Sequence, residues 1–198
     1  NDLANIQQAI RLAPEDAKAY VSRGSAFSAL GQHQLDIQDY EQGIGLAPES
    51  RTLRQRADEN FMLNQFQQAI QEYDEAIEID HLDALAYGHR GNAYFMLGQS
   101  DQALRDYDAA ILLDPRNSSA YNNRGSGYAE LGQYERAVDD YDEAIRLSPK
   151  DALAYTNRGS AYAHLGQLER ALQDHDKAIL LDPLAALAYN NRGLALFG

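Results

Sequence analysis

The chain lacks cysteine and tryptophan and is poor in basic residues. Without cysteine it can form neither a disulfide nor a thiolate metal site. It contains no run of about 18 apolar residues, the shortest that would span a membrane, so no membrane insertion is expected. Lys and Arg number 17 against 30 Asp and Glu, a net charge of −13. Nucleic acid and anionic lipid surfaces are therefore not expected partners, because both need clustered cations.

The same composition leaves the compartment open. No basic segment followed by an apolar run marks a signal peptide, and a protein without cysteine fits either redox environment. A cytoplasmic location is slightly favoured. The acidic balance permits a basic partner, although charge runs of this kind usually solvate the outward faces of helices.

Residues that could carry chemistry do not fall into a catalytic or metal-binding pattern. The histidines form no His-Glu-x-x-His sequence. His175 stands between Asp174 and Asp176, but adjacent side chains on a helix point about 100° apart, so His175 is interpreted as a core residue. We therefore expect no enzymatic activity, no cofactor and no metal.

Proline positions reveal an internal repeat. The gaps between successive prolines are 34, 67, 34 and 34 residues, and His81 occupies the missing position. Because His81 follows the second proline by 33 residues, one residue is deleted, in the loop between Pro48 and Leu53. The prolines are Pro14, Pro48, Pro115, Pro149 and Pro183.

Each repeat is predicted to be a pair of helices. Apolar residues recur at spacings of 3 and 4 in both halves, which is typical of amphipathic helices. A Leu-Gly-Gln segment such as Leu30-Gly31-Gln32 separates the halves, and its glycine can take the left-handed conformation that ends a helix. Proline then stops the second helix. Since one pair cannot bury its apolar faces alone, stacking of repeats must bury them.

This pattern resembles the tetratricopeptide repeat family. The repeats look like the bacterial type, with Asn-Arg-Gly and Asp-Tyr-Asp-x-Ala-Ile signatures. The fourth repeat matches at Tyr121, Gly125, Tyr128, Ala137 and Tyr141. The resemblance implies an all-α, right-handed superhelical solenoid of antiparallel helix pairs, with about 12 helices and one array over residues 1–198. Its expected divisions are a half repeat at 1–16, full repeats at 17–50, 51–83, 84–117, 118–151 and 152–185, and a half repeat at 186–198.

Arginine occupies the position where the family has leucine, seventh in the repeat, and each full repeat carries one acid at position 23. Since both positions lie at similar height on antiparallel helices, we expect an internal Arg–carboxylate ladder. The alternative is a row of cations for phosphate or carboxylate ligands. Arg192 has no equivalent acid in this chain. The expected pairs are Arg23 with Asp39, Arg56 with Glu72, Arg90 with Asp106, Arg124 with Asp140, and Arg158 with Asp174.

Asparagines lie at positions that line the concave groove in the family. Side-chain amides both donate and accept hydrogen bonds, so such a row could pair with the backbone of an extended peptide. It looks like the asparagine ladder of O-linked N-acetylglucosamine transferases. The alternative is that these side chains are solvated or cap helices. The residues are Asn122, Asn123, Asn157, Asn190 and Asn191.

Repeats two and three add apolar groups at groove positions, together with two polar ones. Met and Phe suit an adaptable peptide-binding surface, whereas the alternative is ordinary packing between repeats. The candidates are Phe61, Met62, Phe95, Met96, His89 and Asn92. Chaperone-binding members of the family hold a C-terminal carboxylate with Lys at position 5. Here position 5 is Val21, Arg54, Gly88, Asn122 and Thr156, so binding of a chaperone tail is not expected.

The most favoured function is a noncatalytic scaffold that binds a peptide or a partner helix in the groove. One alternative is a substrate-recruiting arm of a larger enzyme. Another is self-assembly, with the lone helices at 1–14 and 186–198 completing each other head-to-tail; apolar groups at the second end are Leu187, Tyr189, Leu194, Leu196 and Phe197. Such a contact would close into a ring or extend as a filament. Its rival is that flanking repeats belong to a longer protein.

Overall fold

A computed structural model describes residues 2–46 and 48–197, apart from the side chains of Asp2, Leu196 and Phe197. These residues form twelve α-helices and no strand. The helices are α1 (Asp2–Leu12), α2 (Ala17–Ala29), α3 (His33–Leu46), α4 (Ser50–Met62), α5 (Phe66–Ile79), α6 (Ala84–Met96), α7 (Ser100–Leu113), α8 (Ser118–Glu130), α9 (Tyr134–Leu147), α10 (Ala152–His164), α11 (Leu168–Leu181) and α12 (Ala186–Phe197). The predicted all-α class is confirmed.

The turn between the two helices of a repeat is closed by a left-handed residue, as the Leu-Gly-Gln segments predicted. Gly31 has φ of +69°, and Gly132 and Gly166 have φ of +72°. The variant turn uses Asn64 instead, at φ of +60°. Asparagine is the side-chain-bearing residue that best tolerates this conformation, which explains why the repeat can dispense with glycine there.

The connections between repeats show the deleted residue. Residues 80–83, 114–117 and 148–151 each join two helices with four residues, whereas α3 ends at Leu46 and α4 already begins at Ser50. Two of the longer connections end in a capping aspartate: Asp83 accepts from the Leu85 and Ala86 amides, and Asp151 from the amides at the same two positions of its own helix. The shortened connection ends in Glu49, whose side chain makes no capping hydrogen bond.

Small residues allow paired helices to approach closely. A Cβ added to Gly125 would lie 2.8 Å from Cε1 of Tyr141, and one added to Gly24 would lie 2.8 Å from Cε1 of Tyr40. The aromatic ring of the second helix therefore packs directly on the backbone of the first. Alanines that are 0% exposed fill the rest of each contact, at Ala69, Ala76, Ala103, Ala110, Ala137, Ala144, Ala171 and Ala178.

Helices α1–α6 and α7–α12 form two compact units, residues 1–98 and 99–198. The first unit contains a hydrophobic core cluster that includes Ala57, Ile70 and Tyr73. In the second, Tyr128 and Tyr141 centre one cluster and Tyr162 another. Within each unit the second helix of one repeat packs against the first helix of the next, as α5 does against α6 and α9 against α10.

The terminal helices differ in exposure. Leu3, Ile6 and Ile10 of α1 are half-buried, and α1 packs against α2. On α12, Leu187 is 54% and Leu194 is 67% exposed. Tyr189 is also exposed, while the side chains of Leu196 and Phe197 lie outside the described part of the chain. Head-to-tail association of these helices stays a prediction.

His175 occupies the place that tyrosine fills in other repeats. Its side chain is 0% exposed, and neither ring nitrogen has a hydrogen-bond partner among the described residues. A Cβ on Gly159 would lie 2.7 Å from its Cε1, matching the Gly125–Tyr141 contact. Burial lowers the pKa of His175, although Asp174 and Asp176 oppose the fall. The imidazole is thus a core group, as expected from the sequence.

Replacing His175 with Tyr should raise the free energy of unfolding by about 1–2 kcal/mol, because two buried nitrogens without partners are removed. The new hydroxyl can reach Ser160 as the hydroxyl of Tyr141 reaches Ser126, at 3.3 Å. Urea unfolding followed by circular dichroism measures the change. His81→Tyr, at an exposed loop position, is the control and should change stability little.

The same substitution should alter acid sensitivity. The pKa of His175 is lower in the folded than in the unfolded chain. Burial of the neutral ring therefore contributes fully to the free energy of unfolding above about pH 6.5, and this contribution is lost as the pH falls. The wild type should therefore lose more stability than His175→Tyr between about pH 7 and about pH 5. Equal losses would show that His175 does not titrate on unfolding.

Candidate functional site

Arginines of the first helices meet acids of the second helices within repeats. Arg23 donates through Nε and Nη2 to both carboxylate oxygens of Asp39, each at 2.7 Å. Arg124 does the same to Asp140, at 2.8 and 2.6 Å, and Arg158 to Asp174, at 2.8 and 2.7 Å. Nε of Arg56 lies 3.1 Å from Glu72. Arg90 lies in the first unit and Asp106 in the second; their pairing stays a prediction.

A second set of acids, not expected from the sequence, joins four arginines to the preceding repeat. Nη1 of Arg124 lies 2.7 Å from Asp108, and Nη1 of Arg158 lies 2.5 Å from Asp142. Arg192, which has no position-23 acid of its own repeat in this chain, has Asp176 of the preceding repeat at 2.5 Å. Arg90 likewise pairs with Asp74. These acids stand two residues after the first set, so the Asp140-Tyr141-Asp142 segment binds arginines of two repeats, Arg124 through Asp140 and Arg158 through Asp142.

The ladder arginines are thus occupied by the protein itself. The side chain of Arg158 is 18% exposed and lies over the rings of Tyr155 and Tyr162. Its Cζ is 5.5 and 5.7 Å from the two ring centroids. Hydrogen bonding to Asp174 raises its pKa. Two carboxylates and two rings thus surround one guanidinium, and the support of the fold by this row stays a prediction. A free row of cations for anionic ligands is not what the contacts describe.

A cavity opens in the first unit between α4, α5 and α6, with a volume of about 200 Å³. Four residues expected at the groove line it, namely Phe61, Met62, His89 and Asn92. Two further lining residues were missed: Asp58 and Tyr73. Asp58 stands at the same repeat position as Asn92, so the positional pattern that selected Asn92 could also have found it.

One wall of this cavity is apolar. Phe61 is half-buried and packs edge-on against Phe66, with ring centroids 5.2 Å apart. Met62 is 65% exposed at the rim. Phe95 and Met96 lie one repeat further along α6, half-buried and 54% exposed respectively, and are not among the described residues lining this cavity.

The opposite wall is a polar network centred on Asp58. Its Oδ1 accepts from the hydroxyl of Tyr73 at 2.7 Å and lies 2.6 Å from Nδ1 of His89. Burial, and then the Asp58 charge, raise the pKa of Tyr73, so the hydroxyl stays a donor. The Asp58 and His89 side chains remain 33% and 38% exposed. The site thus offers an apolar wall beside an accessible acid–imidazole pair, the arrangement expected of a small anchoring pocket.

Asparagines of the second unit partly bond to one another. Asn122 is 5% exposed and its Oδ1 accepts from Nδ2 of Asn157 at 3.1 Å. Nδ2 of Asn191 donates to Ser160 at 3.0 Å. Asn122 also donates to Asn123, at 3.4 Å, and Asn190 is exposed. Asn122 therefore links neighbouring first helices, while the more exposed members keep surface for a ligand.

Tetratricopeptide repeat family models match most of the chain. One matches residues 57–98 and 125–166, a second 84–117 and 152–183, a third 106–139, and a fourth 3–51. The chain belongs to the tetratricopeptide repeat family. Comparison with curated proteins found no match. In this tetratricopeptide chain, every described helix is too short or too polar to cross a lipid bilayer.

Solved structures share the fold. The Cut9–Hcn1 hetero-tetramer of the APC/C matches 98% of this chain with a TM-score of 0.86 and 18% identity, and this chain spans only 39% of its length. YrrB, described as a tetratricopeptide protein with an unusual peptide-binding site, matches 95% of this chain and 97% of its own, with a TM-score of 0.74 and 21% identity. These likenesses confirm the expected solenoid fold.

One similar structure contains a peptide. The first tetratricopeptide domain of Spaghetti (RPAP3), bound to the HSP90 peptide SRMEEVD, is 32% identical over 58% of this chain and 90% of its own, with a TM-score of 0.57.

Proposed function

We propose that this chain is a noncatalytic scaffold that binds an extended protein segment, and that the cavity between α4 and α6 holds one apolar side chain of that segment. The carrying observation is that Phe61, Met62, His89 and Asn92, selected by repeat position alone, line one cavity. Peptide binding by the similar proteins YrrB and RPAP3 supports this class of function.

The chemistry of the cavity defines the ligand. A volume of about 200 Å³ accommodates a leucine- to phenylalanine-sized side chain. Asp58 and His89, both accessible, can bond to the peptide backbone or to a basic neighbour. Because the chain carries a net charge of −13, basic flanking residues would speed association. An acidic tail such as the one bound to RPAP3 is not favoured, since lysine is absent from the positions that would hold its carboxylate.

Met62→Glu is expected to weaken peptide binding at least tenfold, because a charge would enter the apolar rim of the cavity; tenfold corresponds to about 1.4 kcal/mol. The probes are peptides selected against the chain from a random library displayed on phage, with affinities then measured by calorimetry. We expect the selected peptides to share one large apolar residue.

Leu82→Glu is the matched control. Leu82 is 75% exposed and Met62 is 65% exposed, but Leu82 lies in the loop before α6, away from the cavity. The affinity of Leu82→Glu for the selected peptides should equal that of the wild type. Selection of no peptide, or peptides that bind Met62→Glu as tightly as the wild type, would reject the cavity as the binding site.

A further inference from the structure

Three side chains outside the cavity converge where α3 meets α4. His33 begins α3, Asp36 follows one turn later, and Glu59 comes from the next repeat. Nδ1 of His33 lies 2.5 Å from Oε2 of Glu59 and 3.5 Å from Oδ2 of Asp36. One ligand atom from each of the three lies within 4.8 Å of the other two. Two carboxylates and an imidazole thus face a common point.

Asp36 makes this cluster unusual. It replaces the small alanine that other repeats bury between their helices, and its side chain is 0% exposed. Neither carboxylate oxygen has a hydrogen-bond partner among the described residues. A buried carboxylate without donors is costly unless a cation or a metal compensates it. Burial and the nearby Glu59 raise the pKa of Asp36 to about 6.

We propose that His33, Asp36 and Glu59 form a site for a divalent first-row transition metal, with zinc as the best-suited ion. Imidazole and carboxylate are established zinc ligands, and bonds of about 2.0–2.2 Å place tetrahedral ligand atoms about 3.3–3.5 Å apart. The His33–Asp36 separation of 3.5 Å has this value. Oε2 of Glu59, which lies 2.5 Å from Nδ1 of His33, would have to move away by about 0.8–1.0 Å when the ion binds. Magnesium is disfavoured, because it prefers all-oxygen octahedral sites.

The surroundings suit such a site. The hydroxyl of Ser28 donates to Oε1 of Glu59, an outer-shell contact of the kind that orients a ligating carboxylate. His33 is 30% exposed while Glu59 is 9% exposed, so an ion can enter past the imidazole and find the acids beneath. Water would complete the coordination. Since α3 and α4 belong to successive repeats, the bound ion would tie the two repeats together.

The test is calorimetric titration of the full chain, free of histidine tags and treated with EDTA, with zinc chloride alone. We expect one zinc per chain and an increase in the melting temperature that magnesium does not reproduce. Asp36→Ala and Glu59→Gln should each weaken zinc binding about 100-fold. Asp36→Ala restores the residue of the other repeats, so circular dichroism should show a folded chain.

His89→Ala is the matched control. His89 also lies beside a carboxylate, Asp58 at 2.6 Å. Among the described residues no second acid completes a three-ligand group there, so the loss of His89 should leave zinc stoichiometry and affinity unchanged. Absence of zinc uptake would overturn the assignment. Uptake that survives both acid substitutions, or that disappears in His89→Ala, would equally overturn it.

Discussion

Asp140→Asn is expected to lower the free energy of unfolding by about 2–3 kcal/mol, because the guanidinium of Arg124 stays largely buried but loses its buried negative counter-charge. The Arg124 and Asp140 side chains are 20% and 8% exposed. Burial raises the pKa of Asp140 even though Arg124 opposes the rise, so the pair itself is not strongly stabilising. The loss comes from a guanidinium that keeps only the exposed Asp108 as its counter-charge, and urea unfolding measures it.

Asp108→Asn provides the control, since Asp108 bonds to the same arginine. Its side chain is 57% exposed, and exposed ion pairs contribute about 0–1 kcal/mol. Both variants remove one carboxylate from Arg124, but Asp140 is buried and accepts two hydrogen bonds, whereas Asp108 is exposed and accepts one. Equal losses would mean that the inner and outer acids stabilise the fold alike, and the support role assigned to the inner row would then be wrong.

Asp36→Ala should change the free energy of unfolding in the opposite direction. In EDTA it is expected to raise the free energy of unfolding by about 2 kcal/mol, because a fully buried carboxylate without hydrogen-bond partners is removed. Saturating zinc should reduce or reverse the difference in free energy of unfolding between Asp36→Ala and the wild type, since an ion that binds only the folded wild type stabilises it. Urea unfolding with EDTA and with zinc gives both values.

Asp101→Ala is the comparison for Asp36→Ala. Asp101 also lies in the first turn of a second helix, α7, but it is exposed. Its loss removes a favourable interaction with the helix dipole and should cost up to about 1 kcal/mol. If Asp36→Ala destabilises the metal-free chain as Asp101→Ala does, the dipole dominates at both positions and burial of Asp36 carries little penalty.

Much of the fold could be predicted because the repeat imposes local rules. The proline register located the described connections between repeats, including the shortened one before α4. Leu-Gly-Gln and its Asn64 variant marked the left-handed turns. Such features depend on backbone conformation within a few residues, which sequence specifies directly.

Candidate residues were harder to place than helices. The repeat frame located Phe61 and His89 on neighbouring first helices, where they share a cavity. It did not reveal that Asn122 is buried against Asn157. A repeat position states which way a residue points on its helix, whereas burial depends on the side chains that the neighbouring repeat supplies.

The sequence by itself determined the period, the helix pairs, the small residues at their contacts and the family. Tertiary structure alone decided which charges meet across repeats: Asp108 with Arg124, Asp176 with Arg192, and Glu59 with His33 and Asp36. The physical reason is that hydrogen bonds and ligand sites depend on ångström-scale distances between side chains of different helices. A 34-residue spacing fixes which helices are neighbours, but packing fixes those distances.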